Sequence, residues 1–431
     1  MTHADTSRSG PDAGCHPEPV SAGMRVQSLD ALRGFALLGI LVPNILWFAW
    51  PQAGAVSPEA MAEVAQSVSG PDVVVHEAAN KLGFMITDIF FLGKFMFLFA
   101  TLFGAGVLFF DRKFHKPGQA APLSRGARLW YARMGWMLVI GLLHAFGVWF
   151  GDILVWYAMG GLGLVWWVRR LRPQTLIACG VGSYLLGLLV ILALTVLAES
   201  AVRQGTMTPN DLWGGDPLVE YDIFMHGSYA DMVWWRIRSL AFLYLLTPLT
   251  FFWEVSGMMM VGLALARMGI YTGQRSTRTY AGMALIGIPL GLATTLAGWW
   301  AVRQLHSPIE AMYWMNLAQI CGVPAALGYA GLVLLLVRAG VLKPLTGALA
   351  AVGRMALSNY LLQSILCTTF FYGYGLGYFA KLQYPELFLV IGCVWMVNII
   401  FSAMWLRVFR FGPAEWVWRS LTYWRLQPML R

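Results

Sequence analysis

The chain has 431 residues, 58% of them hydrophobic and 12% charged, with a mean hydropathy of +0.62. A soluble domain carries about 25% charged residues, so this composition excludes an ordinary soluble enzyme and points to a membrane protein. The net charge of +9 would suggest nucleic acid in a soluble chain, but here it marks cytoplasmic loops, and no nucleic-acid partner is expected.

Residues 1–24 are polar and rich in Gly, Ser and Pro. They read as a disordered cytoplasmic tail rather than a signal peptide. Residues 25–431 read as a single polytopic membrane domain, with lipid as its surroundings. Its apolar runs are continuous rather than alternating, so they are helices and not barrel strands. The expectation is an all-α integral membrane protein, a bundle of about ten transmembrane helices.

The first span is expected from Ala31 to Trp50 and the second from Phe84 to Phe110. A basic loop with Arg112, Lys113, Lys116, Arg125 and Arg128 follows. The third span covers Trp130 to Trp149, and a tight turn at Gly151 and Asp152 leads into the fourth, which ends at Arg169. The fifth covers Leu176 to Leu197, and an acidic loop with Asp211, Asp216, Glu220, Asp222 and Asp231 separates it from the sixth. The sixth runs from Ser239 to Ala266 and is interrupted by Pro248. Tyr280 to Val302, Tyr313 to Val337, Leu349 to Tyr372 and Leu387 to Leu406 complete the set. Alternate loops carry the Lys and Arg. That asymmetry places both termini in the cytoplasm of a bacterial-type inner membrane, N-in and C-in.

Cys179, Cys321, Cys367 and Cys393 lie in apolar runs and Cys15 in the tail. They show neither metal-ligand spacing nor a disulfide framework, and the scattered histidines show none either, so no metal is expected. Pairs such as Gly287 with Gly291 permit close helix contacts, within one bundle or in a homo-oligomer.

Ionisable and polar groups inside a span are costly and mark a site, functional or structural. At a rise of ~1.5 Å per residue, Asn44, Asp88, His144 and Asp152 fall toward the outer side. Lys94, Glu254, Asn359 and Gln363 fall near mid-membrane, and Asp30 and Arg33 at the inner rim. Lys94 and Glu254 would form a buried ion pair or meet a substrate. Asn359 and Gln363, one turn apart, would join helices or bind a solute. Asp30 and Arg33 would anchor the first helix or meet a ligand, and His76 reads as solvated. His144 is either a structural imidazole or a general base. Asp152, about two turns further on, would share its face if the helix continued that far.

Several segments resemble the YeiB-like family of bacterial inner-membrane proteins. They are Ser28 to Asn44 (SLDALRGFALLGILVPN), Lys94 to Gly106 (KFMFLFATLFGAG), Gly141 to Tyr157 (GLLHAFGVWFGDILVWY), Gly353 to Gly377 (GRMALSNYLLQSILCTTFFYGYGLG) and Gly412 to Thr422 (GPAEWVWRSLT). The C-terminal part resembles the domain of unknown function four-one-eight. The first segment is also similar to the LD-x-LRG start of transmembrane acyltransferases. One branch of those enzymes has a His eleven residues after the Arg. Here Asn44 stands eleven residues after Arg33. The branch resembling heparan-α-glucosaminide N-acetyltransferase also has Asn there and finds its His just before the second span. His76 has a comparable location, which leaves His144 and His76 as alternatives, with His144 favoured by its motif and by Asp152.

The resemblance implies an acyltransferase that moves an acyl group, acetyl by preference, from cytoplasmic acyl-CoA to a small-molecule or glycan acceptor at the periplasmic side. His144 would be the base and Asp152 would orient it. Asn44 or Lys94 would stabilise the oxyanion, and Arg33 and Arg354 would meet the CoA phosphates. The alternatives are a transporter or channel for a small polar solute, built on Lys94, Glu254, Asn359 and Gln363, and a non-catalytic scaffold.

Overall fold

The structure, a computed structural model, describes residues 22–114 and 125–431. Cys15, Lys116 and the expected tail up to residue 21 lie outside the described residues. The helices are α1 (Ala22–Ala49), α2 (Pro58–Ser69), α3 (Glu77–Phe90), α4 (Lys94–Phe114), α5 (Arg125–Gly147), α6 (Leu154–Leu162) and α7 (Leu164–Val168). They continue as α8 (Pro173–Arg203), α9 (Pro217–Met225), α10 (Tyr229–Leu246), α11 (Phe251–Arg267), α12 (Thr277–Arg303), α13 (Glu310–Cys321) and α14 (Val323–Ala339). The last four are α15 (Lys343–Arg354), α16 (Ala356–Phe371), α17 (Tyr384–Val408) and α18 (Pro413–Tyr423). The described residues form no strand beyond an isolated bridge of Phe409 with Leu430.

Among the described residues, six stretches are long and apolar enough to cross a membrane, and eight if each of two bent pairs is one span. The sequence suggests about ten. The difference lies in two places. The expected fourth span is divided at Gly163 into α6 and α7, of 9 and 5 residues. The expected ninth is divided at Met355 into α15 and α16, of 12 and 16 residues. Neither piece reaches the length a straight crossing needs. The bent pairs are α10 with α11, at 66°, and α13 with α14, at 47°. Pro248 lies in the first break and Pro324 just beyond the second. A proline removes a backbone N–H and clashes with the preceding turn, which ends or bends a helix.

Lipid-facing surfaces are apolar. Leu189 of α8, Leu285 of α12 and Leu389 of α17 all point outward. The centre is α1, where Ala31, Leu32, Ala36, Leu37, Ile45 and Ala49 are completely buried. Gly287 and Gly291 of α12 pack on Pro324, Ala325 and Gly328 of α14, so this small-residue stripe is used inside one bundle.

The helices α1 and α15 approach each other very closely. A Cβ on Gly34 would sit 1.9 Å from the Leu349 carbonyl oxygen, and one on Gly353 1.8 Å from that of Asp30. Only glycine permits this. Gly353→Leu is expected to destabilise the protein by ~3 kcal/mol, the upper end of overpacking costs, because a rigid backbone carbonyl cannot yield. The measurement is the yield of monodisperse protein after detergent extraction. A wild-type yield and Tm would show that the two helices can part.

At one end of the bundle, outside the spans, Glu220 of α9 is buried and accepts a hydrogen bond from the Gln52 N–H at 3.0 Å. Burial pushes its carboxyl well above the ordinary value of 4.5, and that hydrogen bond only partly opposes the shift. The folded state therefore holds a proton that the unfolded chain releases. The resulting stability is full below the unfolded value and is lost as pH rises through the folded one. Glu220→Gln is expected to raise Tm by roughly 2–4 °C at pH 8 and to leave it unchanged near pH 4.5. Equal shifts at both pH values would show that Glu220 does not titrate in the folded protein.

A candidate active site beside an arginine-lined cavity

The helix α5 ends at Gly147, so His144 lies in its last turn. The chain then turns through Trp149 and Gly151 before α6 begins at Leu154. Asp152 is therefore not on the helix of His144. The turn folds back instead and brings its Oδ1 within 2.8 Å of His144 Nδ1. Oδ2 accepts the Val155 N–H at 2.8 Å, in the first turn of α6, where a carboxylate also complements the helix dipole. A carboxylate only accepts, so Nδ1 carries a hydrogen, and in the neutral imidazole Nε2 then keeps its lone pair.

Nε2 lies 2.9 Å from Ser364 Oγ, on α16. The three side chains form one line, Ser364–His144–Asp152, and are 1%, 2% and 1% exposed. Water is thus excluded from each hydrogen bond. The same end of α5 is tied down by Arg236 of α10, whose guanidinium donates to the carbonyls of Phe146 and Gly147 at 3.3 and 3.0 Å.

A cavity of about 470 Å³ ends beside this line. Its mouth holds four guanidinium groups, Arg33, Arg133, Arg354 and Arg419. The approach at Gly34 and Gly353 explains two of them, since Arg33 and Arg354 are the neighbours of those glycines. Arg33 is paired with Asp30 at 3.1 Å. Arg133 is stacked on Trp418, 3.5 Å from the ring centroid, and Arg419 on Phe411 at 4.2 Å. Among the described residues no carboxylate lies within ion-pair distance of Arg133, Arg354 or Arg419. Glu415, also at the mouth, is occupied elsewhere. It accepts hydrogen bonds from the Leu357 and Ser358 N–H groups and from the Ser358 hydroxyl, and so caps α16 at the Met355 break. Burial raises its carboxyl above the ordinary range while those donors pull it down.

The cavity walls are apolar and aromatic, including Phe99, Phe103, Phe110, Trp130 and Met137. Its inner end is Ile153, Leu154, Tyr157 and Tyr360. Tyr360 forms the partition. Its ring centroid is 5.1 Å from that of His144, and its hydroxyl accepts the Ile153 N–H at 3.2 Å. The hydroxyl of Tyr157 is buried and has no hydrogen-bond partner. An orphaned donor at the end of a cavity is unusual, because buried polar groups are normally satisfied. Arg133 and His144 share α5 and are separated by about 16 Å along its axis.

The other expected site residues lie elsewhere. Asn44 does not line this cavity or bond to the triad. Lys94 Nζ donates to the carbonyls of Asp88 and Leu92, at 2.9 and 3.1 Å, and so closes the break between α3 and α4. The expected Lys94–Glu254 ion pair does not form; Glu254 is buried on α11, with Oε1 unpartnered. Depth along two helices does not fix their facing directions, and Lys94 is turned to its own chain. Asn359 Nδ2 donates to Ser402 at 2.7 Å and Gln363 Nε2 to Asn398 at 2.8 Å, joining α16 to α17. Asp88 lines a separate cavity of about 900 Å³ with Trp314, Arg303 and Glu310. His76 is exposed at the start of α3 and lines neither cavity. Among the described residues, no group of three His, Cys, Asp or Glu side chains is placed to hold a metal ion.

Sequence reasoning missed Ser364, Tyr157, Tyr360 and Arg133. Serine and tyrosine are frequent in membrane helices as packing and hydrogen-bonding residues. No local signal separates these from the rest.

Residues 265–425 match the family model described as "Protein of unknown function (DUF418)". The chain is 34% identical over 414 residues to the "Uncharacterized protein YeiB" of Escherichia coli, covering 92% of this chain and 95% of that protein. It is 29% identical over 432 residues to the "Uncharacterized protein YxaH" of Bacillus subtilis, covering 96% and 98%. No solved structure matches the chain.

Proposed function

The chain belongs to the YeiB-like family, and from that premise we propose that it is a transmembrane acyltransferase using cytoplasmic acyl-CoA and an acceptor at the periplasmic side. The membrane is the bacterial inner membrane. The chain crosses it about ten times, with the short α6–α7 and α15–α16 pieces counted as crossings and both termini inside. The observation that carries the proposal is the arginine-rimmed cavity whose inner end, at Ile153, Tyr157 and Tyr360, abuts the His144–Asp152 pair across the Tyr360 ring. Arg33, Arg133, Arg354 and Arg419 suit the phosphates of CoA. The apolar walls suit its arm and acyl chain, with the thioester toward Ile153 and Tyr360. His144, oriented by Asp152, is the general base, and the free hydroxyl of Tyr157 meets the developing oxyanion. A small-molecule or glycan hydroxyl or amine is the acceptor.

The test is binding of acetyl-CoA and longer acyl-CoAs to the detergent-purified protein, followed by release of the CoA thiol when candidate acceptors are added. Saturable binding and acceptor-dependent release are expected. A folded protein that binds no acyl-CoA overturns the proposal.

A second reading has one observation in its favour. Two bent spans, at Pro248 and Gly322, are a feature of solute transporters. Solute flux into proteoliposomes, lost on closing the 900 Å³ cavity with Ala53→Trp, would support transport. Absence of flux for sugars, amino acids and organic acids would remove it.

A further inference from the structure

Ser364 has no role in the mechanism above, yet it completes the hydrogen-bonded line. Its Oγ lies 2.9 Å from His144 Nε2, the nitrogen that carries the lone pair. The alternative acceptor for the Ser364 hydroxyl, the Tyr360 carbonyl, is farther away at 3.3 Å. Asp152 holds the opposite ring nitrogen and is itself held by Val155. Nucleophile, base and orienting carboxylate come from α16, α5 and the α5–α6 turn. That is the arrangement by which a serine hydroxyl becomes nucleophilic, and it is defined by geometry rather than by chain order.

Position supports the same role. Ser364 is one helical turn beyond Tyr360, on the same face of α16, and Tyr360 is a wall of the cavity. Asp152 is the neighbour of Ile153, another wall residue. The Tyr360 ring is thus what separates the cavity from Ser364, and access of a substrate to Ser364 requires it to move. Tyr157, with its unpartnered hydroxyl, sits at the same end.

We propose that Ser364 is a nucleophile that carries the acyl group, so that transfer passes through a seryl ester on α16; this deepens and rests on the acyltransferase proposal. In the first half-reaction Ser364 Oγ attacks the thioester carbonyl carbon and His144 Nε2 takes the hydroxyl proton. The carbon–sulfur bond breaks, the ester bond forms, and the proton passes from Nε2 to the leaving CoA thiolate. In the second, His144 takes the proton of the acceptor hydroxyl or amine, whose heteroatom attacks the ester carbonyl. The ester bond breaks and the proton returns to Ser364 Oγ. No oxidant or metal is required. The kinetic consequence is a ping-pong scheme in which CoA leaves before the acceptor binds.

The experiment uses the full chain in detergent in two parallel reactions. One contains radiolabelled acetyl-CoA without acceptor, and the other a fluorophosphonate probe without acyl-CoA. In the first, label is expected on the peptide that contains Ser364, at one acetyl per chain, as an oxygen ester released by alkaline hydroxylamine. In the second, the probe is expected on the same residue. Ser364→Ala and His144→Ala should each lower both signals at least 100-fold, and Ser364→Cys should move the acetyl label to a thioester released at neutral pH. The cysteine variant also keeps the result interpretable if the alanine variant folds poorly. Wild-type transfer by Ser364→Ala, with no probe on Ser364 in the wild type, overturns the nucleophile and leaves direct transfer from acyl-CoA standing. Probe on Ser364 with no acyl-CoA binding or turnover keeps the nucleophile and overturns the donor.

Discussion

His144→Ala is expected to lower kcat for acyl transfer by about 10²–10⁴-fold, the usual contribution of a positioned general base. The KM for the acyl donor should change little, because the four arginines that would bind it lie at the other end of the cavity. Asp152→Asn should produce a loss of about 10³–10⁴-fold by a different route. The carboxamide nitrogen would donate to Nδ1, which moves the ring hydrogen to Nε2 and leaves no lone pair facing Ser364. Removing the imidazole also leaves Asp152 buried at 1% exposure without its partner, which destabilises the turn. His144→Gln is the control, since its amide can still donate to Asp152 yet cannot accept and return a proton. The assay is release of the CoA thiol, with Tm and elution profile recorded for every variant. A folded His144→Gln protein with wild-type kcat would remove the imidazole from the chemistry.

How far the sequence foretold this site depends on how local each feature is. Helix content, apolar faces and the position of basic residues follow from composition and periodicity, and these are clear along the chain. His144 and Asp152 were also legible, because one short segment contains both. The sequence puts them on one face only if the helix continues to Asp152; it ends at Gly147, and the turn supplies the geometry instead. The divisions at Gly163 and Met355 were not legible. The first has only the cluster Gly160, Gly161 and Gly163 to announce it. The second is held by Glu415, far along the chain, whose carboxylate caps α16. Ser364 is 220 residues from His144 in sequence, and only the tertiary fold relates them. Lys94 and Glu254 show the converse, where similar depth suggested a pair and the helix break at Gly93 gave Lys94 carbonyl partners nearer at hand.

Removing the charges at the cavity mouth should act on donor affinity rather than on turnover. Arg133→Gln and Arg419→Gln are each expected to weaken acyl-CoA binding about 10–100-fold, the equivalent of one charge-assisted hydrogen bond. These two are the informative positions. Arg33 is already paired with Asp30, so its loss would also strand a buried carboxylate at the mouth and mix two effects. Arg133 and Arg419 instead lie flat on Trp418 and Phe411, which fixes their planes and leaves their N–H edges free for phosphate. Lysine keeps the charge but loses the planar fork and the stacking. Arg133→Lys should therefore recover only part of the affinity. The wild-type Kd should rise with ionic strength, and the slope should be shallower in each glutamine variant. Calorimetry with acetyl-CoA at two salt concentrations measures both quantities, and dephospho-CoA thioesters show how many phosphates the mouth reads. Unchanged Kd and salt dependence in the Arg133→Gln, Arg419→Gln double variant would argue that the donor phosphates bind somewhere other than beside these two side chains.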